Sequence, residues 1–296
     1  MRAVVQKRAG SPDRLVMADV PQPVPEPTEV LVRIQATSVT RGDVVMRKMP
    51  RLVARLFGET PRSIPGYEFA GEVEATGANV AEFEIGDRVF GTTSGLTQGS
   101  YAEYLCVPED GIFTHIPSSV GYEEAAPIPV GAMAALHFLR AGEAGPGKRV
   151  LVNGAAGSVG SYAVQIAKKS GAHVAGVAST SNMELVASLG ADEVIDYTEQ
   201  DFTEGKQKYD VIFDAAGKTT AKRTQAVLEE KGRFVTTQTR RRENIEELRT
   251  VRDMLASGAI EAVVDRSYSL DRISDAHRYV EEGRKRGNIV VVVTHS

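Results

Sequence analysis

The sequence predicts an α/β protein in two parts, a β-rich part split along the chain around a doubly wound parallel sheet. Three observations carry this prediction. Residues 1–121 hold short β-branched runs punctuated by Gly and Pro. From Tyr122 onward, apolar strands alternate with segments of helical spacing, the pattern of a parallel sheet covered by helices. The chain then closes on a strand, a helix and a strand that return to the first part. At 296 residues, the length suits two domains better than one. The expected boundaries are 1–121 with 262–296 for the β-rich domain and 122–261 for the parallel-sheet domain.

In chain order, Arg2 to Gln6 and Val30 to Ala36 read as strands, separated by the Pro-rich stretch PQPVPEPTE. Gly71 to Ala75, Asp87 to Gly91 and Tyr101 to Val107 complete a set suited to a partly open barrel. Met46 to Phe57 is either a helix packed on that barrel or a lid over an apolar ligand. Tyr122 to Arg140, rich in Ala, Met and Leu, predicts one helix. Five strands follow, at Arg149 to Val152, His173 to Val177, Val194 to Ile195, Val211 to Phe213 and Arg233 to Val235. Between them, Ser158 to Ser170 places Val159, Tyr162, Ala163, Ile166 and Ala167 at helical spacing, and Asn182 to Leu189 is a helix stopped by Gly190. Glu243 to Ser257 and Asp275 to Arg284 predict helices, Ile260 to Val264 and Ile289 to Val293 strands.

The segment from Val150 to Gly160, VLVNGAAGSVG, carries the strongest functional signal. Its three glycines leave an apolar strand and open an amphipathic helix, the context that gives such spacing meaning. Gly154 permits the tight turn, Gly157 lets backbone approach a pyrophosphate, and Gly160 lets the helix lie close to the strand. Asn153, Gly154, Ala156, Gly157, Ser158 and Val159 are therefore candidate binders of a dinucleotide in a Rossmann domain, their N–H groups aided by the helix dipole. At the end of the next strand stand Ser179, Thr180, Ser181 and Asn182, with no carboxylate before Glu184. An NAD site usually places Asp or Glu there. Small hydroxyl and amide groups leave room for a 2′-phosphate, so NADPH is favoured and NADH possible. Tyr197 either offers its hydroxyl to the same group or anchors a loop. Ala216 and Gly217 would let the nicotinamide ribose approach, and the preceding Asp214 either faces the ligand crevice or caps the next helix.

Composition excludes other classes. Net charge is −4, so no basic field marks a nucleic-acid binder. Arg240 to Arg242 run straight into Glu243, Glu246 and Glu247 and read as a solvated loop. The single cysteine, Cys106, permits neither an intrachain disulfide nor a cysteine-based zinc cluster. Neither a signal peptide nor a membrane span is legible, so the expected location is cytoplasmic.

Several motifs together give a family resemblance: Pro65-Gly66-Tyr67-Glu68-Phe69-Ala70-Gly71, Gly86-Asp87-Arg88-Val89-Phe90-Gly91, Gly99 to Tyr104, Leu151 to Gly160, Leu189-Gly190-Ala191-Asp192, Val194 to Tyr197 and Ala276-His277-Arg278. Over nearly its whole length the chain resembles the zinc-independent medium-chain dehydrogenase/reductase superfamily, in its quinone oxidoreductase-like branch. The resemblance implies a GroES-like substrate domain and NADPH-dependent reduction of quinones or α,β-unsaturated carbonyls. It also implies that Asn288 reaches toward the cofactor. Where zinc relatives place Cys and His ligands, this chain has Thr40 and Tyr67, so no metal is expected. Relatives of this branch usually carry Asn-Pro where Thr40-Arg41 stands, and often Thr in place of Ala134. They also have a longer segment after Thr237, which supplies a dimer strand. A homodimer is thus possible, but its usual pairing strand is missing.

Thr40 is the first candidate to stabilise a developing oxyanion and Tyr67 the second. His137 and His277 read as packed residues, and Cys106 as a buried thiol. Two other readings stay open: an aldehyde or alcohol-type reductase, and an NADPH-binding redox sensor or structural protein with little turnover.

Overall fold

The computed structural model describes residues 1–50, 63–93 and 98–295. Residues 51–57 of the proposed lid or helix lie outside them. The chain divides into two compact units, residues 1–130, 242–256 and 264–296 in the first and 131–241 with 257–263 in the second.

The first unit opens with β1 (Arg2–Gln6) and β2 (Leu15–Asp19), an antiparallel ribbon in which Val4 faces Met17. Next come β3 (Glu29–Ser38), α1 (Arg41–Lys48), β4 (Glu68–Thr76), β5 (Arg88–Thr92), β6 (Tyr104–Pro108), β7 (Ile112–His115) and α2 (Tyr122–Ala125). The second unit contains α3 (Pro129–Ala141), β8 (Arg149–Asn153), α4 (Ser158–Lys169), β9 (His173–Ala178), α5 (Met183–Ser188), β10 (Glu193–Asp196), β11 (Tyr209–Asp214), α6 (Ala221–Thr224) and β12 (Leu228–Thr236). The chain returns to the first unit with α7 (Ile245–Ala256), β13 (Val264–Ser269), α8 (Ile273–Glu281) and β14 (Asn288–Val292).

In the first unit, seven strands form one sheet in the order β13-β14-β3-β4-β5-β7, with β6 also pairing with β3. β3 is long enough to serve three neighbours. Its start pairs with β6, its length with β4 and its end with β14. Val30, Val32, Ile34, Phe69, Val89, Phe113, Ile289 and Val291 fill the core, and Ile273, Ala276 and Val280 of α8 pack against it. The sheet joins residues from both ends of the chain.

In the second unit, a five-stranded parallel sheet runs β10-β9-β8-β11-β12. The order moves outward one way from β8 through β9 to β10, then restarts at β11 on the other side. That reversal leaves a crevice at the carboxyl ends of β8 and β11. α4 buries Tyr162, Ala163, Ile166 and Ala167, the residues whose spacing predicted it.

Two local expectations change. The helix expected from Tyr122 to Arg140 is two helices, because Pro127 and Pro129 cannot donate to the preceding turn and hold their neighbours out of helical geometry. Residues 260–263 are irregular, and the strand expected there begins at Val264. Its pairing with β14 decides where the strand lies, and local propensity carries no such information. Two short strands, β2 and β7, gave no periodic signal.

Candidate active site

The dinucleotide turn is built from backbone. Gly154 leaves β8 with φ +83°, and a Cβ there would stand 2.8 Å from the Ala216 side chain. A Cβ on Gly160 would collide with the Gly154 carbonyl oxygen. The first turn of α4 thus rests directly on the end of β8, a closeness only glycine allows. Gly157 is the N-cap of α4 with extended backbone and no side-chain cap. A helix leaves its first N–H groups without internal partners, and no capping side chain occupies this end. The turn fits a pyrophosphate.

The neighbouring candidates form a small polar network. Asn182 Nδ2 donates to Ser179 Oγ (3.0 Å), Ser179 and Ser181 hydroxyls lie 3.3 Å apart, and Thr180 meets Thr198 at 2.9 Å. Behind them Asp196, the last residue of β10, accepts from the Thr198 amide and hydroxyl. Bonds from Thr180 and Thr198 hold its carboxyl below the usual range. Tyr197 is exposed, its ring outside any core. Between Asn153 and Gly217 the side chains organise the loop. Asn153 Nδ2 donates to Asp214 Oδ1 (2.9 Å), and the Thr219 amide donates to Asp214 Oδ2 (2.8 Å). Asp214 is fully buried and caps the following segment. Ala216 packs beside Gly154, and Gly217 takes φ +65° with its carbonyl accepting from Gln238.

The first unit carries the titratable groups. Thr40 is the N-cap of α1, and Asp43 is its capping partner. The Thr40 amide and hydroxyl both donate to Asp43 Oδ2 (2.8 and 2.5 Å), and the Asp43 amide donates to Thr40 Oγ1 (3.2 Å). Thr40 is half-buried, Asp43 buried. Desolvation raises the Asp43 carboxyl to about 6 against these bonds. Tyr101 lies fully buried beside it. Its ring sits against Gly66, whose φ of +96° and missing Cβ make room for it. The Tyr101 hydroxyl is 3.2 Å from His277 Nε2, with the rings edge to face. His277 is completely buried, and desolvation together with Arg47 lowers it to about 3. Arg47 is itself buried and donates to Glu281 Oε2 at 2.7 Å.

Tyr67 is buried and its hydroxyl accepts from Gln98 Nε2 at 2.9 Å. Glu68 beside it bonds the Ser38 hydroxyl and accepts from the Val130 amide at 2.7 Å. Burial lifts its carboxyl to about 8, with the charges of Asp43 and Glu243 adding to the shift. Lys285 faces the charges of Glu68 and Asp265 and donates to the Gly287 carbonyl. Its ammonium is pushed down to about 8 by burial. Asn288 is buried at the start of β14, opposite Val264.

The structure therefore brings Asn153, Gly154, Ala156, Gly157, Ser158, Val159, Ala216 and Gly217 to one sheet edge. Ser179, Thr180, Asn182 and Tyr197 follow from the adjacent strand ends. It groups Thr40 and Tyr67 with Asp43, Glu68, Tyr101, His277 and Lys285, to which the sequence assigns no part in catalysis. Asp43 and Glu68 are sequence neighbours of Thr40 and Tyr67, but nothing local in the sequence marks them as buried. Among the described residues, no three His, Cys, Asp or Glu side chains converge as metal ligands. The hydroxyls at Thr40 and Tyr67 already serve Asp43 and Gln98, a donor set unsuited to zinc. No helix among the described residues is long and apolar enough to cross a membrane.

Comparison with known proteins agrees with this architecture. Residues 26–118 match the alcohol dehydrogenase GroES-like domain and residues 158–266 the zinc-binding dehydrogenase domain. The chain is 33% identical to the 2-methylene-furan-3-one reductase of Solanum lycopersicum, over 95% of its own length and 76% of the relative's. It is 32% identical to the chloroplastic NADPH-dependent alkenal/one oxidoreductase of Arabidopsis thaliana, over 98% and 79% of the two chains. The quinone oxidoreductase from Coxiella burnetii superposes with a TM-score of 0.89 at 27% identity, covering 99% of each chain. The chain belongs to the medium-chain dehydrogenase/reductase superfamily, in its quinone oxidoreductase-like branch.

Proposed function

We propose that this chain is an NADPH-dependent, zinc-independent reductase of quinones or α,β-unsaturated carbonyls. The observation that carries the reading is the turn at Gly154 to Gly160, where absent Cβ atoms bring helix α4 onto the end of β8 at a sheet crevice. Relatives named as alkenal/one, furanone and quinone oxidoreductases supply the substrate class.

Backbone N–H groups of Gly154, Ala156, Gly157, Ser158 and Val159 hold the pyrophosphate. Ser179, Thr180, Asn182 and Tyr197 face the 2′-phosphate and its ribose, Ala216 and Gly217 leave space at the nicotinamide ribose, and Asn153 completes the set. No guanidinium or ammonium stands in the sequence from Ser179 to Asn182, so the preference over NADH is modest. The bound dinucleotide supplies a hydride from C4 of its nicotinamide. Thr40 and Tyr67 hold the carbonyl oxygen as it gains charge, and the apolar interior of the first unit strengthens that interaction.

The test is a fluorescence titration with NADPH and NADH, followed by NADPH oxidation with 9,10-phenanthrenequinone and a simple enone. Tight NADPH binding with turnover of either acceptor supports the reading. Binding without turnover would point to a sensor, and no binding of either cofactor would overturn it.

A further inference from the structure

The Thr40–Asp43 pair has a chemical property that helix capping does not require. In an ordinary capping box the acid sits at the surface and stays charged. Here the acid is behind the hydroxyl. Thr40 is half-buried, while Asp43 is 4% exposed, with Thr40 on its Oδ2 and the Tyr101 hydroxyl against its carboxyl. Burying a carboxylate is costly, and the cost falls when the group carries a proton. A threonine hydroxyl has one proton. With Asp43 ionised, that proton points at Oδ2, 2.5 Å away, and Thr40 has nothing to give a ligand. With Asp43 protonated, the direction reverses and Thr40 becomes an outward donor.

We propose that Asp43 and Thr40 form a proton relay that delivers the second hydrogen of enone reduction. The relay rests on the reductase reading. Hydride delivery to the β-carbon leaves an enolate, whose α-carbon must gain a proton. With Tyr67 alone then holding the carbonyl oxygen, the Thr40 Oγ1–H bond breaks as the α-carbon C–H bond forms. At the same time the Asp43 Oδ2–H bond breaks and a new Oγ1–H bond forms on Thr40. The electron pair for the C–H bond is the enolate's own. The products are a saturated ketone and an Asp43 carboxylate, with Thr40 unchanged. After product release, Asp43 takes a proton from water through the half-exposed Thr40 hydroxyl.

Among the described residues, no cation near Asp43 is free to hold it charged. Tyr101, on the approach to β6, is neutral and fully buried, and its bond to the Asp43 carboxyl works against the shift. Glu68 on β4 couples to Asp43 as a like charge. His277 on α8 touches Tyr101 and stays neutral, because burial and Arg47 keep it near 3. Arg47, on the same helix as Asp43, spends its charge on Glu281. Desolvation alone lifts the Asp43 carboxyl to about 6, against the bonds from Thr40 and Tyr101 that pull it down, and so places it near neutrality, where a general acid works well.

A quinone separates the relay from simple structural support, because its reduced oxygen anion takes a proton from water. The experiment measures kcat of the full chain with NADPH for an enone and for 9,10-phenanthrenequinone, from pH 5 to 9, in wild type, Asp43→Asn, Thr40→Val and Thr40→Ser. In wild type, enone turnover falls as the pH rises through about 6, and the quinone profile lacks this limb. Asp43→Asn and Thr40→Val remove the limb and lower the enone-to-quinone ratio of kcat by about a hundredfold, the lower range for a general acid. Thr40→Ser restores both. In D2O, the wild-type product carries deuterium at its α-carbon and enone turnover shows a solvent isotope effect that Thr40→Val abolishes. Equal losses on both acceptors with an unchanged pH profile would reduce Asp43 to a helix cap and overturn the relay. If Asp43→Asn does not fold, Thr40→Val and Thr40→Ser alone decide between these outcomes. Wild-type protein that oxidises NADPH with neither acceptor would overturn the reductase reading, and the relay with it.

Discussion

The two units build their sites from opposite materials. The nucleotide turn of the second unit uses missing side chains. Its glycines at 154, 157 and 160 set the backbone path, and its nearest carboxylate, Asp214, is spent on Asn153 and Thr219. The first unit uses side chains with shifted proton affinity, buried at Asp43, Glu68, Tyr101 and His277 and half-buried at Lys285. Binding a dinucleotide asks for close approach and N–H groups, which a strand–helix junction offers without ionisable groups. Moving a proton asks for groups that titrate near neutrality, and these come from desolvation. A site made of absences is sensitive to added volume, while a site made of buried charge is sensitive to pH and to lost partners.

The sharpest contrast comes from adding volume at the turn. Gly160→Val forces a side chain into the Gly154 carbonyl. Overpacking of this kind costs about 1–3 kcal/mol and here also lifts α4 from β8. NADPH-induced fluorescence enhancement should disappear, while circular dichroism retains the β signal of the first unit. A variant that keeps wild-type affinity would break the comparison.

Partner loss is the matching change in the first unit. Arg47 is buried and depends on Glu281, whose side chain is about one-third exposed and also pairs with Lys48. Glu281→Ala should destabilise the protein by roughly 2–3 kcal/mol, less than the full penalty for a wholly buried pair because Glu281 keeps solvent contact. Arg272→Ala, which breaks exposed bonds to Asp275 and an exposed cation–π contact with Tyr268, should cost about 1 kcal/mol. Urea unfolding of the two variants gives the difference directly.

A pH series probes the same region with a smaller effect. Glu68 has an ordinary value of 4.5 and a folded value of about 8. Between these the folded protein holds a proton that the unfolded chain has released. The stability tied to this group is complete below pH 4.5 and is lost as the pH rises through 8. Glu68→Gln keeps the shape without the ionisation. Its stability relative to wild type, followed by melting temperature, should climb steadily from pH 5 to pH 9. A constant offset at every pH would show that Glu68 does not hold its proton. His277 acts in the opposite direction. It is depressed to about 3 from 6.5, so its contribution is complete above pH 6.5 and fades as the pH falls.

The smallest effect concerns the choice of cofactor. Ser179→Asp places a carboxylate at the end of β9, where NAD sites carry one. The ratio of NADPH to NADH affinity should fall about tenfold, or about 1.4 kcal/mol, without loss of stability. An unchanged ratio would remove Ser179 from the 2′-phosphate pocket.

How far the sequence could be read follows from the same division. Gly154 to Gly160 was legible because a turn between adjacent elements is a local event, with its strand before it and its helix after it. The alternation of strands and helices in the second unit was legible for the same reason. Pro127 and Pro129 divide a helix that composition alone made continuous, and β13 begins later than its apolar run because β14 fixes its position. Thr40 and Tyr67 could be named from the family pattern, but not what their hydroxyls do.

By itself the sequence determined the elements of the Rossmann unit, the glycine turn with its fit to a dinucleotide, and the scarcity of soft metal ligands. Each rests on residue type and short spacing. The tertiary structure alone decided that Asp43, from the first turn of α1, would be sealed behind Thr40 by Tyr101, far along the chain, and by His277 near its end. It also decided that Glu68 would meet Ser38, Val130 and the charge of Lys285. The physical reason is that proton affinity depends on desolvation and on neighbours in space. Both are set by long-range packing, which no window of sequence contains.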